Sequence, residues 1–406
     1  MTQTQEHNVP AQRFPEFSGE WDSLKLGDIA AFSKGKGISK ADISEDGAIE
    51  CIRYGQLYTD YGETIEEIKS RTSVPASELV LSEANDIIIP ASGETQIDIA
   101  TASCVLKDGV ALGGDLNIVK TSNNGVFLSY YLNSKRKIDI ARLSQGISVV
   151  HLYAAQLKTL HLNLPDAPEQ QKIASFLSQV DCKIAQLAEK KALLQAYKKG
   201  MMQKLFSQEL RFKDPQGYDF PDWEEKRLGE VAEFVGGGTP ETGKPEYWGG
   251  EIQWFTPTEI KQKYLSGSKR TITKLGLQKS SAKLLPVGAL LLSTRATVGD
   301  IGIATKECTT NQGFQSLIVN SENINEFWYY WILENKKTLL RRSSGSTFLE
   351  ISKTEIAKIK ADKPSLSEQQ KIADFLSSID RKIDLVSSEL DHAKTFKKGL
   401  LQQMFI

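Results

Sequence analysis

Apolar residues recur at alternating spacings of four and three along two long stretches of this chain. In the first, Ile173, Leu177, Val180, Ile184, Leu187, Leu194, Met201 and Leu205 keep the pattern, and Lys191 and Lys198 interrupt it. In the second, Ile372, Leu376, Ile379, Ile383, Val386, Leu390, Ala393, Leu400 and Met404 keep the same register. Side chains three and four apart share a helix face, so a sustained stripe of this kind is a coiled-coil seam. Each stretch follows a proline, Pro165 or Pro364, and begins with Glu169-Gln170 or Glu368-Gln369, where negative charge suits the first helical turn. A helix of this length spans about 57 Å at ~1.5 Å per residue, too long for one head to cover, so its stripe needs a partner. The other copy is the simplest one. An antiparallel pair with approximate twofold symmetry, a head at either end, is expected.

The stripes coincide because the sequences do. EQQKIASFLSQVDCKIAQLAEKKALLQAYKKGMMQKLF at 169–206 recurs as EQQKIADFLSSIDRKIDLVSSELDHAKTFKKGLLQQMF at 368–405, identical at seventeen of 38 positions with a constant offset of 199. Similarity continues upstream more weakly. LGDIAAF at 26–32 answers LGEVAEF at 228–234, the lead-in RFPEFSGEW at 13–21 answers FPDWEEKR at 220–227, and Gly146 answers Gly345. The whole half-chain therefore repeats. Residues 1–165 and 208–364 are expected to be globular heads, and 166–207 and 365–406 their trailing helices. Within the heads, short apolar runs such as DIIIP (86–90), LNIVK (116–120), ALLLS (289–293) and QSLIV (315–319) read as strands. VFLSYYLNSKRK and INEFWYYWILENKK read as short helices, with Phe327, Tyr330 and Trp331 spaced as core residues. The fold class is α+β, two strand-rich heads each followed by a long helix.

Composition narrows the function classes. A chain of 406 residues, 40% hydrophobic and 25% charged, is long enough for two cored domains. Its start, MTQTQEHNVPAQ, is polar without an apolar leader core, and no apolar run approaches the ~18 residues of a membrane span, so a cytoplasmic location is expected. Cys51, Cys104, Cys182 and Cys308 form no CxxC pair and the histidines show no ligand spacing with them, which argues against zinc and against a disulfide framework. The net charge of −1 hides a contrast between the halves. From Ile260 to Gly299 there are eight basic residues and no acid; from Asp42 to Asp98 thirteen acids face three basic residues. The acidic stretch is expected to face away from any nucleic acid.

Each partial match to an enzyme motif lacks a residue that the chemistry needs. Phe234-Val235-Gly236-Gly237-Gly238 matches the FxGxG turn of many methyltransferases, but the chain has no Pro-Pro dipeptide to form their catalytic loop. Gly238 to Lys244 approaches a P-loop, yet Pro245 stands where a hydroxyl should reach magnesium. His151 and His161 have no nucleophile in an activating context, and the carboxylates form no evident metal cluster. No catalytic and no metal-binding residues are assigned.

With these features in hand, the chain resembles the specificity subunit of a type I restriction-modification enzyme, over nearly its whole length. The resemblance rests on the duplicated EQQKIAxFL helices ending in KKGMMQKLF and KKGLLQQMF. It rests also on GGGTP (236–240), IQWFTPTEI (252–260), STRATVGDIGIA (293–304) and NQGFQSLIV (311–319). It implies two target-recognition domains, each reading half of a split, asymmetric site on double-stranded DNA, with the paired helices setting the gap. It implies two modification subunits, which supply S-adenosylmethionine and methylate adenine, and restriction subunits that use ATP and Mg. It implies no cofactor in this chain. A non-enzymatic coiled-coil adaptor joining two protein-binding modules is the main alternative, and a stand-alone adenine methyltransferase a second.

In the second head, the matching loops make Gly238, Thr239, Gln253, Trp254, Thr258, Arg295, Asn311 and Gln312 the candidates for base contacts, Trp254 being equally a core candidate. Arginine and the amides can pair bidentately with guanine or adenine edges. Lys261, Lys263, Lys269, Arg270, Arg341 and Arg342 suit phosphates. The first head departs from these strings, with CIRYGQLYTDYGE and IIIPASGETQIDIA in their places. There Lys34, Lys36, Lys40, Arg53, Gln56, Ser92 and Gln96 are candidates, with Lys135, Arg136, Lys137 and Arg142 beyond them.

Overall fold

The apolar runs become the central strands of two similar sheets. The computed structural model describes residues 8–146, 148–345 and 349–406; the first seven residues of the polar start lie outside these. In the first head a five-stranded sheet runs Ala30–Lys34, Leu116–Thr121, Asp86–Pro90, Ser103–Val105, Thr64–Ile65. In the second the order is Ala232–Gly236, Gln315–Val319, Leu290–Leu292, Ile301–Ala304, Tyr264–Leu265. Both sheets are antiparallel except for their last pair, Thr64↔Cys104 and Tyr264↔Ile303, which is parallel. The central strands Asp86–Pro90 and Leu290–Leu292 are buried along their whole length, which is why they read as unbroken apolar runs.

A three-stranded sheet accompanies each: Ser70–Thr72, Ile49–Ile52, Ala111–Leu112 in the first head, and Arg270–Ile272, Trp248–Phe255, Cys308–Thr310 in the second. The aromatic segments form helices at Gly125–Ser134 and Asn325–Glu334, packed as core: Phe327, Tyr330 and Trp331 are buried.

The long helices run Ala167–Phe206 and Leu366–Gln403. The chain forms two compact units, Met1–Ala188 with Ser388–Ile406, and Glu189–Ser387, so each unit contains part of both helices. In the first unit Ile173 and Leu177 share a core with Leu400 and Met404. In the second Met202 and Leu205 share one with Ile372 and Leu376. Early residues of one helix thus meet late residues of the other, which is antiparallel pairing. Along the expected seams Leu187, Ile379, Val386 and Leu390 are buried, while Val180, Ile184, Leu194 and Ile383 are half-buried. Leu177 and Leu376 are fully buried, and each contributes roughly 2 kcal/mol by leaving water.

Candidate nucleic-acid interface

In the second head, glycines bring three loops together. A Cβ on Gly238 would fall 2.3 Å from Ser281 Oγ and 2.4 Å from the Ala282 nitrogen, so only glycine lets this turn pass. Gly238 N donates to Thr310 O at 2.8 Å, and its carbonyl accepts from Trp254 Nε1 at 2.9 Å. Trp254 is buried, supporting the loop from behind. Thr239 Oγ1 donates to Gln312 Oε1 at 2.5 Å, and Asn311 Oδ1 holds the next turn through Gly313 N at 2.9 Å. Thr294 N donates to Gly313 O at 2.8 Å, which brings Arg295 to the same edge, where it pairs with Glu350 at 2.8 Å. Gln253 is committed to Ser268, accepting from its nitrogen at 2.7 Å. Thr258, Lys261, Lys269 and Arg270 are exposed.

Three other candidates lie apart from this cluster. Arg341 and Arg342 are exposed beyond it, the latter 3.6 Å from Glu355. Lys263, expected on phosphates, is half-buried, its Nζ donating to Tyr330 Oη and Ser377 Oγ at 2.8 Å each. Burial pushes its pKa down to about 8. A lysine whose pKa is lower folded than unfolded opposes folding while charged, fully below about pH 8 and not at all above the unfolded value of ~10.4. The parent is therefore expected to gain stability relative to Lys263→Met as pH rises through that window. Calorimetry of both proteins checks the trend, and the opposite slope would contradict it.

In the first head the loop after Ala30–Lys34 approaches residues 112–114 in the same manner, Gly114 N donating to Gly37 O at 2.9 Å. Lys34, Lys36, Lys40 and Gln96 are exposed and Arg53 is half-buried. Lys34 Nζ lies 5.7 Å from the Tyr153 ring, which stacks on His151 at 6.1 Å. Tyr153, 47% exposed, was not among the candidates, and no local signal marked it, because Lys34 lies far from it in sequence. Gln56 is buried and occupied with Arg53 N, Asp60 and Ser70, a structural role. Ser92 is buried in a short strand paired with Val150–His151. Lys135, Arg136, Lys137 and Arg142 sit on a separate helical edge, where Arg142 and Arg136 both approach Asp139.

The repeated helices are fixed to the heads by residues whose role sequence reading missed. Glu169, 1% exposed, accepts from Arg13 at 2.7 and 2.6 Å; Glu368, 0% exposed, accepts from Arg211 at 3.1 and 2.8 Å. Gln170 accepts from Asn124 N and Gln369 from Ile324 N, each at 3.0 Å, tying each long helix to the start of a head helix. Phe14 packs on Phe176 and Phe212 on Phe375. The signal was the dipeptide Arg-Phe at 13–14 and again at 211–212.

Two lysines of the long helices have carboxylate partners across the pair, Lys397 and the seam-interrupting Lys198. Lys397 pairs with Asp181 at 2.8 Å and Glu63 at 3.0 Å, and Tyr130 Oη donates to Asp181. Burial opposes the Lys397 charge, but the two carboxylates outweigh it and raise its pKa. In the second unit Lys198 pairs with Asp380 at 2.5 Å, and Tyr330 Oη donates to Asp380. Lys263 stands there where the first unit has Glu63, both backbones bonding the neighbouring strand through Ile303 N and Cys104 N. Among the described residues no group of His, Cys, Asp and Glu is placed to hold a metal, and no helix is long and apolar enough to cross a membrane.

Comparison with known proteins places this arrangement. Residues 18–196 and 221–394 each match the family described as type I restriction modification DNA specificity domain. The chain is 35% identical over 205 residues to the type I restriction enzyme MjaIX specificity subunit of Methanocaldococcus jannaschii, a match spanning 48% of this chain and only 46% of that relative. It is 24% identical over 411 residues to the MjaVIII specificity subunit of the same organism, covering 96% of this chain and 92% of the relative. In fold it is similar to the crystal structure of a type I restriction-modification S subunit from M. genitalium, with a TM-score of 0.65 at 18% identity over 98% of this chain and 99% of that one.

Proposed function

The chain belongs to the type I restriction-modification DNA specificity family, and from that premise we propose that its two heads read the two halves of a bipartite, asymmetric DNA site. It is a non-catalytic specificity subunit. The observation that carries the reading is the family match in both halves, joined to loops that differ between the heads while the helix anchors repeat. In the second head the contacts are assigned to Thr239, Gln312, Asn311 and Arg295, with Lys261 and Lys269 on phosphates; in the first to Lys34, Lys36, Lys40, Arg53 and Gln96. Glycine and tryptophan at 238 and 254 shape the loop, and Gln56 and Ser92 support theirs. The family match supports this reading over a protein-binding adaptor.

Two modification subunits bringing S-adenosylmethionine, and restriction subunits using ATP and Mg, are assigned as partners in the cytoplasm. Tyr197 and Phe396, 52% and 54% exposed at equivalent helix positions, suit the docking of one modification subunit each. A gel-shift competition tests the function. The chain with its modification subunits is expected to retain one duplex sequence against a large excess of random duplex. Equal displacement of every sequence would sink the reading.

A further inference from the structure

Resting on that DNA reading, a stacked arginine in the second head gives a residue-level assignment. Arg270 Cζ lies 3.5 Å from the centre of the Trp248 ring and 5.6 Å from that of Trp254. The first distance is van der Waals contact, which leaves no room for a guanidinium nitrogen to point into the ring. The group therefore lies flat, with its donors directed outward in one plane. The platform is itself fixed: the two indoles meet edge to face at 5.0 Å, and buried Trp254 is pinned by its bond to the Gly238 carbonyl.

This guanidinium is exposed, and among the described residues it makes no hydrogen bond or ion pair. Its neighbour in the candidate cluster, Arg295, is tied to Glu350, and Arg342 lies against Glu355. Arg270 is thus held in place by stacking alone, and its whole fork of donors is unused. Exposed lysines at 261, 269 and 274 stand nearby in sequence for phosphates, which need charge but little geometry.

We propose that Arg270 reads a guanine in the half-site of the second head, its paired donors meeting O6 and N7, with Trp248 as the platform that sets its plane. A flat, immobilised fork matches the two acceptors of guanine in the major groove and loses little freedom on binding. Among the described residues the device belongs to the second head. In the matching three-stranded sheet, the register that pairs Trp254 with Arg270 pairs Cys51 with Ser70. There Ser70 Oγ is occupied by Gln56 at 2.9 Å.

The test is a selection from a randomised duplex library by the complex of this chain with its modification subunits, using the parent, Arg270→Lys, Arg270→Ala and Trp248→Ala. Lysine keeps the charge and removes the fork. Both Arg270 variants are expected to lose, by about tenfold or more, the preference for guanine at one position of one half-site, with all other positions retained. Trp248→Ala weakens the same position. Retention of the other half-site reports that the complex is folded. A parent-like preference in Arg270→Lys, with an even weakening of all sequences in Arg270→Ala, would show a phosphate contact and overturn the assignment. Loss of both half-sites by Arg270→Lys would overturn it in favour of a structural role. A parent complex that enriches no sequence would instead overturn the DNA reading itself.

Discussion

Glu368→Ala is expected to destabilise the second unit by about 3 kcal/mol or more, because it strips the partner from a desolvated arginine. Glu368 is fully buried, and Arg211 retains only 22% exposure of its side chain. The same carboxylate accepts from Trp223 Nε1 at 3.0 Å, so a second donor is orphaned. In the first unit Glu169→Ala removes the equivalent Arg13 pair, but among the described residues the Trp21 indole nitrogen has no hydrogen-bond partner. The loss is accordingly expected to be smaller. Urea unfolding of each variant measures both. The double variant Arg211→Met with Glu368→Leu, which removes the charges together, is expected to recover most of the loss. A cost under ~1 kcal/mol for Glu368→Ala would mean that water reaches the pair and that the anchor is weak.

The second large effect concerns the helices as a spacer. Seven residues inserted into both helices, at facing positions, preserve the seam because they add one heptad to each. They add about 10 Å at ~1.5 Å per residue, on the order of three base pairs at ~3.4 Å. Binding to the original site is expected to fall by about a thousandfold, toward non-specific affinity, as one half-site moves out of reach. A library selection should then recover both original half-sites with a longer gap. If both half-sites disappear together, the insertion has unfolded the protein or the helices do not set the gap. An insertion in one helix alone shifts its seam against an unlengthened partner and is expected to lower stability.

The helices were legible because their information is local and periodic. The 4-3 stripe announces a buried face whatever the partner is, and the repeated copy named the partner. The anchors were visible but not interpretable. Glu169-Gln170 and Glu368-Gln369 look like ordinary first-turn residues until burial shows that they hold lead-in arginines and head helices. Lys198 looked like a defect in the seam, because Asp380 lies on the other helix, far away in sequence. The lead-in repeat was placed on the later Phe-Pro, although the Arg-Phe that makes the contact stands earlier, before a longer connection in the second half.

The candidate contacts were less legible than the fold. A basic residue in a loop carries charge on its face, but its neighbours decide what that charge is for. Lys263 and Arg270 stand seven residues apart in one basic run. The first is drawn in by two hydroxyls, and the second is stacked on tryptophan with its donors unused. The acidic first head hides its contact surface further, since its loops share few residue types with those of the second.

The central claim is that two different heads on one repeated scaffold read two different half-sites. Mapping methylated adenines across a genome that carries this chain with its modification subunits tests it most directly. The account predicts a single split motif with unlike halves and a fixed gap, and replacement of residues 208–364 by those of another family member should change one half alone. A continuous motif, a pair of identical halves, or a replacement that changes both halves at once would contradict it.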